Sequence, residues 1–189
     1  MHRYHWLPLI ALLLLIVFLI GCNPYVAAVS MTYGVATDAR SVSTQASDTE
    51  IESAVKANLL ASPVPGTGSL SVWCRQSVVV LAGVVPPGSP AGGAAVQIAR
   101  STPGVVRVET FFVSRGGSEA SDLEIEGEIK AAFAADPNVM EERASVGVYN
   151  GHVILVGVVD NPAKIDEYVA DAQSVSGVRS VRSYIQMVN

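Results

Sequence analysis

Histidine and cysteine are nearly missing, at three and two among 189 residues. Beyond the first twenty residues His152 is the single histidine and Cys74 and Cys22 the only thiols, so three or four zinc ligands of these types cannot be assembled. Charge is also sparse, at 15% of the chain, and acids outnumber bases 17 to 12. The net −5 falls to −6 once Arg3 of the leader is set aside. Phosphate binding needs clustered Lys and Arg, so nucleic acid is excluded as a partner. No Ser or Cys nucleophile recurs beside His152, which reads as a surface histidine. The expectation is a non-enzyme with no catalytic residue, metal or cofactor.

What is present begins with an apolar run. Leu7 to Ile20 follows a short start carrying Arg3, the layout of a secretory signal, and falls short of the roughly 20 residues a spanning helix needs. It ends in Leu19-Ile20-Gly21-Cys22, which resembles the bacterial lipoprotein signal box. Residues 1–21 are therefore expected to be a cleaved leader, with Cys22 the lipidated N-terminus carrying diacylglycerol and a further palmitate-type chain. Several chains anchor where one does not, at about 0.8 kcal/mol per buried methylene. Asn23, in place of an inner-membrane retention aspartate, favours the outer membrane, with the chain facing the periplasm. Residues 22–46 read as this N-terminus and a tether. Cys74 then has no mate for an internal disulfide, and is either a buried small hydrophobe or a thiol that pairs between molecules.

The remainder is written twice. Gln76 to Val85 aligns without a gap on Asn150 to Val159, and Asn150-Gly151 is the signature of a two-residue hairpin turn. Ser77 stands where the leading glycine belongs, so the first turn is expected to be looser. Ahead of each hairpin runs an amphipathic helix, with stripes Ile51, Val55, Leu59 and Ile125, Ile129, Phe133. Ser47-Asp48-Thr49-Glu50 and Ser121-Asp122-Leu123-Glu124 read as capping boxes at the helix starts. A second helix follows each hairpin, capped at Ser89-Pro90 or Asn161-Pro162, the later one carrying Ile165, Val169 and Ala172. Gly104-Val105 and Gly177-Val178 then open a third strand. Each repeat, 47–115 and 121–189 about a linker at 116–120, is thus helix, two strands, helix, strand. The fold class is α+β, with a small mixed sheet covered on one face by two helices.

The pattern Gly151-x-Val153-x-Leu155-x-Gly157, with Val175-Ser176-Gly177-Val178 after the helix, resembles the BON domain, and Val79, Leu81 and Gly83 fit it in the first repeat. The motif glycines are Gly83, Gly104, Gly151, Gly157 and Gly177. Two such domains behind a signal box are similar to the dual-BON lipoproteins associated with division and outer-membrane stress, a likeness that Thr37-Asp38, Arg40-Ser41-Val42 and Gln45 strengthen. That resemblance implies a non-catalytic role in maintaining outer-membrane integrity, through association with anionic phospholipid. The alternative is an adaptor for envelope assembly or secretion machinery, with membrane contact only through Cys22. In the resembled lipoproteins an exposed aromatic at the start of the second domain's first helix meets the membrane. Glu124 stands at that place here.

Asp122, Glu124, Glu126 and Glu128 spread round a helix start, where acids suit the macrodipole, and read as a solvated face. Lys130, Arg179 and Arg182 are scattered cations. The strands hold a sharper signal. Val153 and Leu155 point under the helices, so Ile154, Val156, Val80 and Ala82 point away, yet both sets are apolar. Trp73, Phe111 and Tyr184 fall on the same outer faces. An interaction surface is expected there, buried between the two domains or against a partner, because a large bare apolar patch is uncommon on a monomer.

Overall fold

The computed structural model describes residues 40–114, 118–139 and 143–188. The expected leader, the lipidated Cys22 and most of the tether lie outside these residues, as do linker positions 115–117.

Helix α1 spans Val42–Ala61 and buries Ile51, Val55 and Leu59. It starts five residues before the expected box at Ser47: Ser41 is the N-cap, its Oγ accepting from Thr44 N at 3.2 Å, and Gln45 Nε2 donates to Arg40 O at 2.8 Å. The last residues read as tether, from Val42 to Ala46, are thus helical. After a 3-10 turn at Thr67–Ser69 come β1 (Ser71–Arg75), β2 (Val78–Val84), α2 (Ala91–Ser101) and β3 (Arg107–Val113). The second repeat retraces this as α3 (Glu119–Ala135), β4 (Ala144–Tyr149), β5 (His152–Val159), α4 (Ala163–Ser174) and β6 (Ser180–Met187). Its first helix also begins early, after Ser118, so the expected linker end at 120 is helical. In both repeats the expected capping box lies inside the helix, and its aspartate turns inward.

Each sheet has three strands with the second in the middle, in orders β1-β2-β3 and β4-β5-β6. The hairpin pairs antiparallel and the last strand runs parallel to the middle one, Val80 opposite both Trp73 and Glu109, and Ile154 opposite Gly147 and Arg182. The parallel crossover is made by α2 or α4, which lays a helix beside the first one on the same face. The first core joins Ile51, Val55 and Leu59 to Val72, Cys74, Val79, Leu81, Ala95 and Ala99. The second joins Ile125, Ile129 and Phe133 to Val146, Val148, Val153, Leu155 and Ala172. Tyr168 is its largest fully buried side chain, edge-on to Phe133 with ring centroids 5.0 Å apart. The helical stripe read from Ile165, Val169 and Ala172 passed over it, although Tyr168 stands three residues after Ile165 and four before Ala172, on the same face. No helix among the described residues is long and apolar enough to cross a membrane.

Candidate functional site

Both hairpin turns are built the same way, and an inward aspartate holds each. Gln76 and Ser77 have φ of 50° and 62°, and Asn150 and Gly151 have 56° and 72°. Positive φ at both central residues is the turn whose twist matches the strands it joins. Without a glycine the first turn costs roughly 1–2 kcal/mol per strained residue. Asp48 offsets this: its carboxylate accepts from Gln76 N and Ser77 N, each at 2.8 Å. The expected looser turn is therefore not found. Asp122 does the same for Asn150 N at 2.7 Å and Gly151 N at 2.8 Å. In the first repeat Asp48 is almost fully buried, pairs with the buried Arg40 and lies 3.5 Å from Cys74 Sγ. Asp122 is thus no part of a solvated acidic face. The signal was in the sequence, since Asp48 and Asp122 share the 74-residue offset of the turns, but the capping-box pattern offered a sufficient local reason for both.

Cys74 is fully buried. Burial first, then the Asp48 charge and hydrogen bond, push its thiol up to about 12. Of the two readings, buried hydrophobe and intermolecular thiol, the structure places it in the core. His152 is half-buried, with Nδ1 2.8 Å from Ser180 Oγ.

The motif glycines have separate reasons. A Cβ on Gly157 would fall 2.3 Å from Arg143 O, a backbone collision, whereas on Gly83 it would meet the tip of Leu70 at 2.8 Å. Gly104 and Gly177, at φ 87° and 85°, turn from the second helix into the last strand directly against Ile51 and Ile125. Gly151 lies in the turn already described.

The outer sheet faces meet each other. Val80, Ala82, Ile154 and Val156 are fully buried in a third cluster, closed at its edges by Trp73, Phe111, Tyr149 and Tyr184. Trp73 lies over Gly147, where a Cβ would fall 2.9 Å from its Cη2. Tyr184 donates to Thr110 O at 2.8 Å, Gln186 Nε2 to Arg75 O at 3.1 Å, Gln76 Nε2 to Met187 O at 2.7 Å, and Arg75 Nη2 to Ser145 Oγ at 3.0 Å. Burial raises the Tyr149 and Tyr184 hydroxyls above their ordinary values. Of the two occupants expected for this surface, the other repeat is the one found: it covers Val80, Ile154 and Val156 fully and Trp73, Phe111 and Tyr184 in part.

The remaining candidates do not converge. Lys130 pairs with Glu126 at 2.6 Å, Arg179 reaches Asn150 Oδ1 at 3.3 Å, and Arg182 lies 6.0 Å from the Tyr184 ring. Glu124 is exposed, next to Leu123 at 67% exposure.

The BON-domain model matches residues 47–115 and again 121–189. No curated protein matches the chain in sequence. Among solved structures it is similar to the C-terminal domain of CdsD, the structural protein of the type III secretion system of Chlamydia trachomatis. That likeness is at 14% identity and TM-score 0.31, covering 75% of this chain and 67% of the other. A second CdsD structure matches at 15% identity and TM-score 0.31, over 74% of this chain and 63% of the other. BON-domain proteins bind membranes or phospholipid and as a family are non-catalytic. Matched twice over most of its length, with one mixed sheet, two covering helices and a clamped hairpin in each copy, this chain belongs to the BON-domain family as a tandem pair.

Proposed function

We propose that this is a non-catalytic, lipid-anchored periplasmic protein that helps to maintain the outer membrane, with its two BON domains held as one body close to the inner leaflet. The observation that carries the reading is the double BON match behind a lipoprotein signal box ending at Cys22. The packed sheets support it: with the apolar outer faces spent on each other, what is left outward is helix, turn and strand edge. The domains then contact anionic phospholipid while the acyl chains on Cys22 supply the attachment.

The second reading is an adaptor for an assembly or secretion machine, touching the membrane through Cys22 alone. The exposed Glu124 and Glu128 favour it, because an acid near an anionic bilayer should cost about what a base gains, on the order of 1 kcal/mol. Sedimentation of residues 40–189 with vesicles of phosphatidylethanolamine, with and without phosphatidylglycerol, separates the two. Binding that needs phosphatidylglycerol supports direct lipid contact. No binding with either composition moves the function to the adaptor.

A further inference from the structure

Seven large apolar side chains are well exposed among the described residues, and four of them gather at one end. Val106, at 81% the most exposed, donates its N–H to Ser77 O in the first hairpin turn at 2.9 Å. Val42 opens α1 two residues after Arg40, whose guanidinium pairs with the Asp48 that holds that same turn. Met187 and Val188 reach the turn from the second repeat, through the Gln76 bond to Met187 O. The corresponding end of the second repeat is polar. Arg179 stands in the place of Val106, donating to Gly151 O at 2.8 Å, and Asn150, His152 and Ser176 surround it. Two copies of one fold thus carry opposite chemistry at equivalent tips.

We propose that the end formed by the Gln76–Ser77 turn, Val42, Val106, Met187 and Val188 is the surface that lies against the phospholipid bilayer. This rests on the lipid-anchor reading above and names the face that reading leaves open. The route of the chain is the first argument for a bilayer as occupant. Arg40 is fixed at this end, so the 17 residues from Asn23 to Ala39 leave for Cys22 from here, a path of at most about 60 Å fully extended. Charge is the second. Neighbouring ions are matched in pairs, Arg40 with Asp48, Arg107 with Glu109 at 3.1 Å and Arg143 with Asp160 at 3.1 Å, which leaves exposed Glu50, at the place of Glu124, while Ala54 stands where the α3 start has the exposed Glu128. Scattered valine and methionine side chains on a surface with so little unpaired charge suit shallow insertion at the headgroup boundary. Leu123 is as exposed as Val42, but it stands between Asp122 and Glu124.

The test uses the full, lipidated protein in vesicles of phosphatidylethanolamine and phosphatidylglycerol, with a polarity-sensitive dye placed by Val106→Cys or, separately, Ser176→Cys. Cys74 is buried and Cys22 acylated, so each variant offers one reactive thiol. Flotation is scored first, then emission. The expected result is a blue shift at position 106 on vesicles and none at 176. A protein that floats with no shift at 106, or with equal shifts at both positions, overturns the proposal while leaving the anchor intact. A shift at 106 that needs an envelope protein extract in place of vesicles gives the surface to a protein and also overturns it. A protein that does not float removes the anchor reading itself and the proposal with it.

Discussion

Two carboxylates decide how each repeat holds its hairpin, and their surroundings differ enough to rank them. Asp122, itself half-buried, accepts two turn amides, while Asp48 does so almost fully buried and also faces Arg40. Asp122→Ala should therefore cost about 1–3 kcal/mol, the range for hydrogen bonds to a charged group. Asp48→Ala removes the two turn bonds from a buried site and with them the ion pair to Arg40, and should cost more, about 3–5 kcal/mol. Urea unfolding of both variants checks the order; equal losses would show that Arg40 contributes nothing. The thiol beside Asp48 gives a second expectation. With its pKa pushed to about 12 and no exposure, Cys74 stays neutral at pH 8, and a disulfide reagent should modify it only at the rate of unfolding. Fast modification of the folded protein would contradict that. A third concerns Gly157. Val there meets backbone, so Gly157→Val should lose more than about 3 kcal/mol, and Gly93→Val, where a side chain meets open space, far less. Comparable melts for the two would refute the distinction.

Among the elements, α4 carries an unfavourable pair that its amphipathic pattern hides. Glu167 and Asp171 lie one turn apart, each with a buried oxygen lacking a hydrogen bond. Burial, then Asp136 and Glu167, raise the Asp171 carboxyl above its ordinary value. A raised folded value means the fold prefers the protonated form. Its contribution is complete below the free-carboxylate value and disappears as pH rises through the folded one. Asp171→Asn should accordingly raise the unfolding midpoint at pH 7 and change it little at pH 3, as measured by calorimetry. An equal gain at both pH values would assign the effect to helix propensity instead. Element order, strand pairing and helical stripes were all legible in the sequence because periods of two and 3.6 survive in short windows. The early helix starts were not. Asp48 is joined to the Gln76–Ser77 turn across 28 and 29 residues, and no local window contains the amides that draw the aspartate inward.

For the molecule as a whole, the second apolar set on each middle strand was the readable sign that something covers it, while what covers it was not. The pairing of Trp73 with Gly147 exists only once both sheets are in place. Ile154→Asp with Val80→Asp puts two carboxylates into that closed cluster, and charge buried without a partner is strongly unfavourable. Amide exchange should quicken in both hairpins together while the helix-facing cores keep their protection. Unchanged exchange in both hairpins would mean the faces do not depend on each other. The Trp73 contact also bears on assembly. An indole on one copy and an absent side chain on the other form a lock with a single key. Two first repeats would bring indole against indole, and two second repeats would leave a hollow at each glycine. Any exchange of repeats between neighbouring molecules must then match a first with a second, since each surface accepts only its sibling.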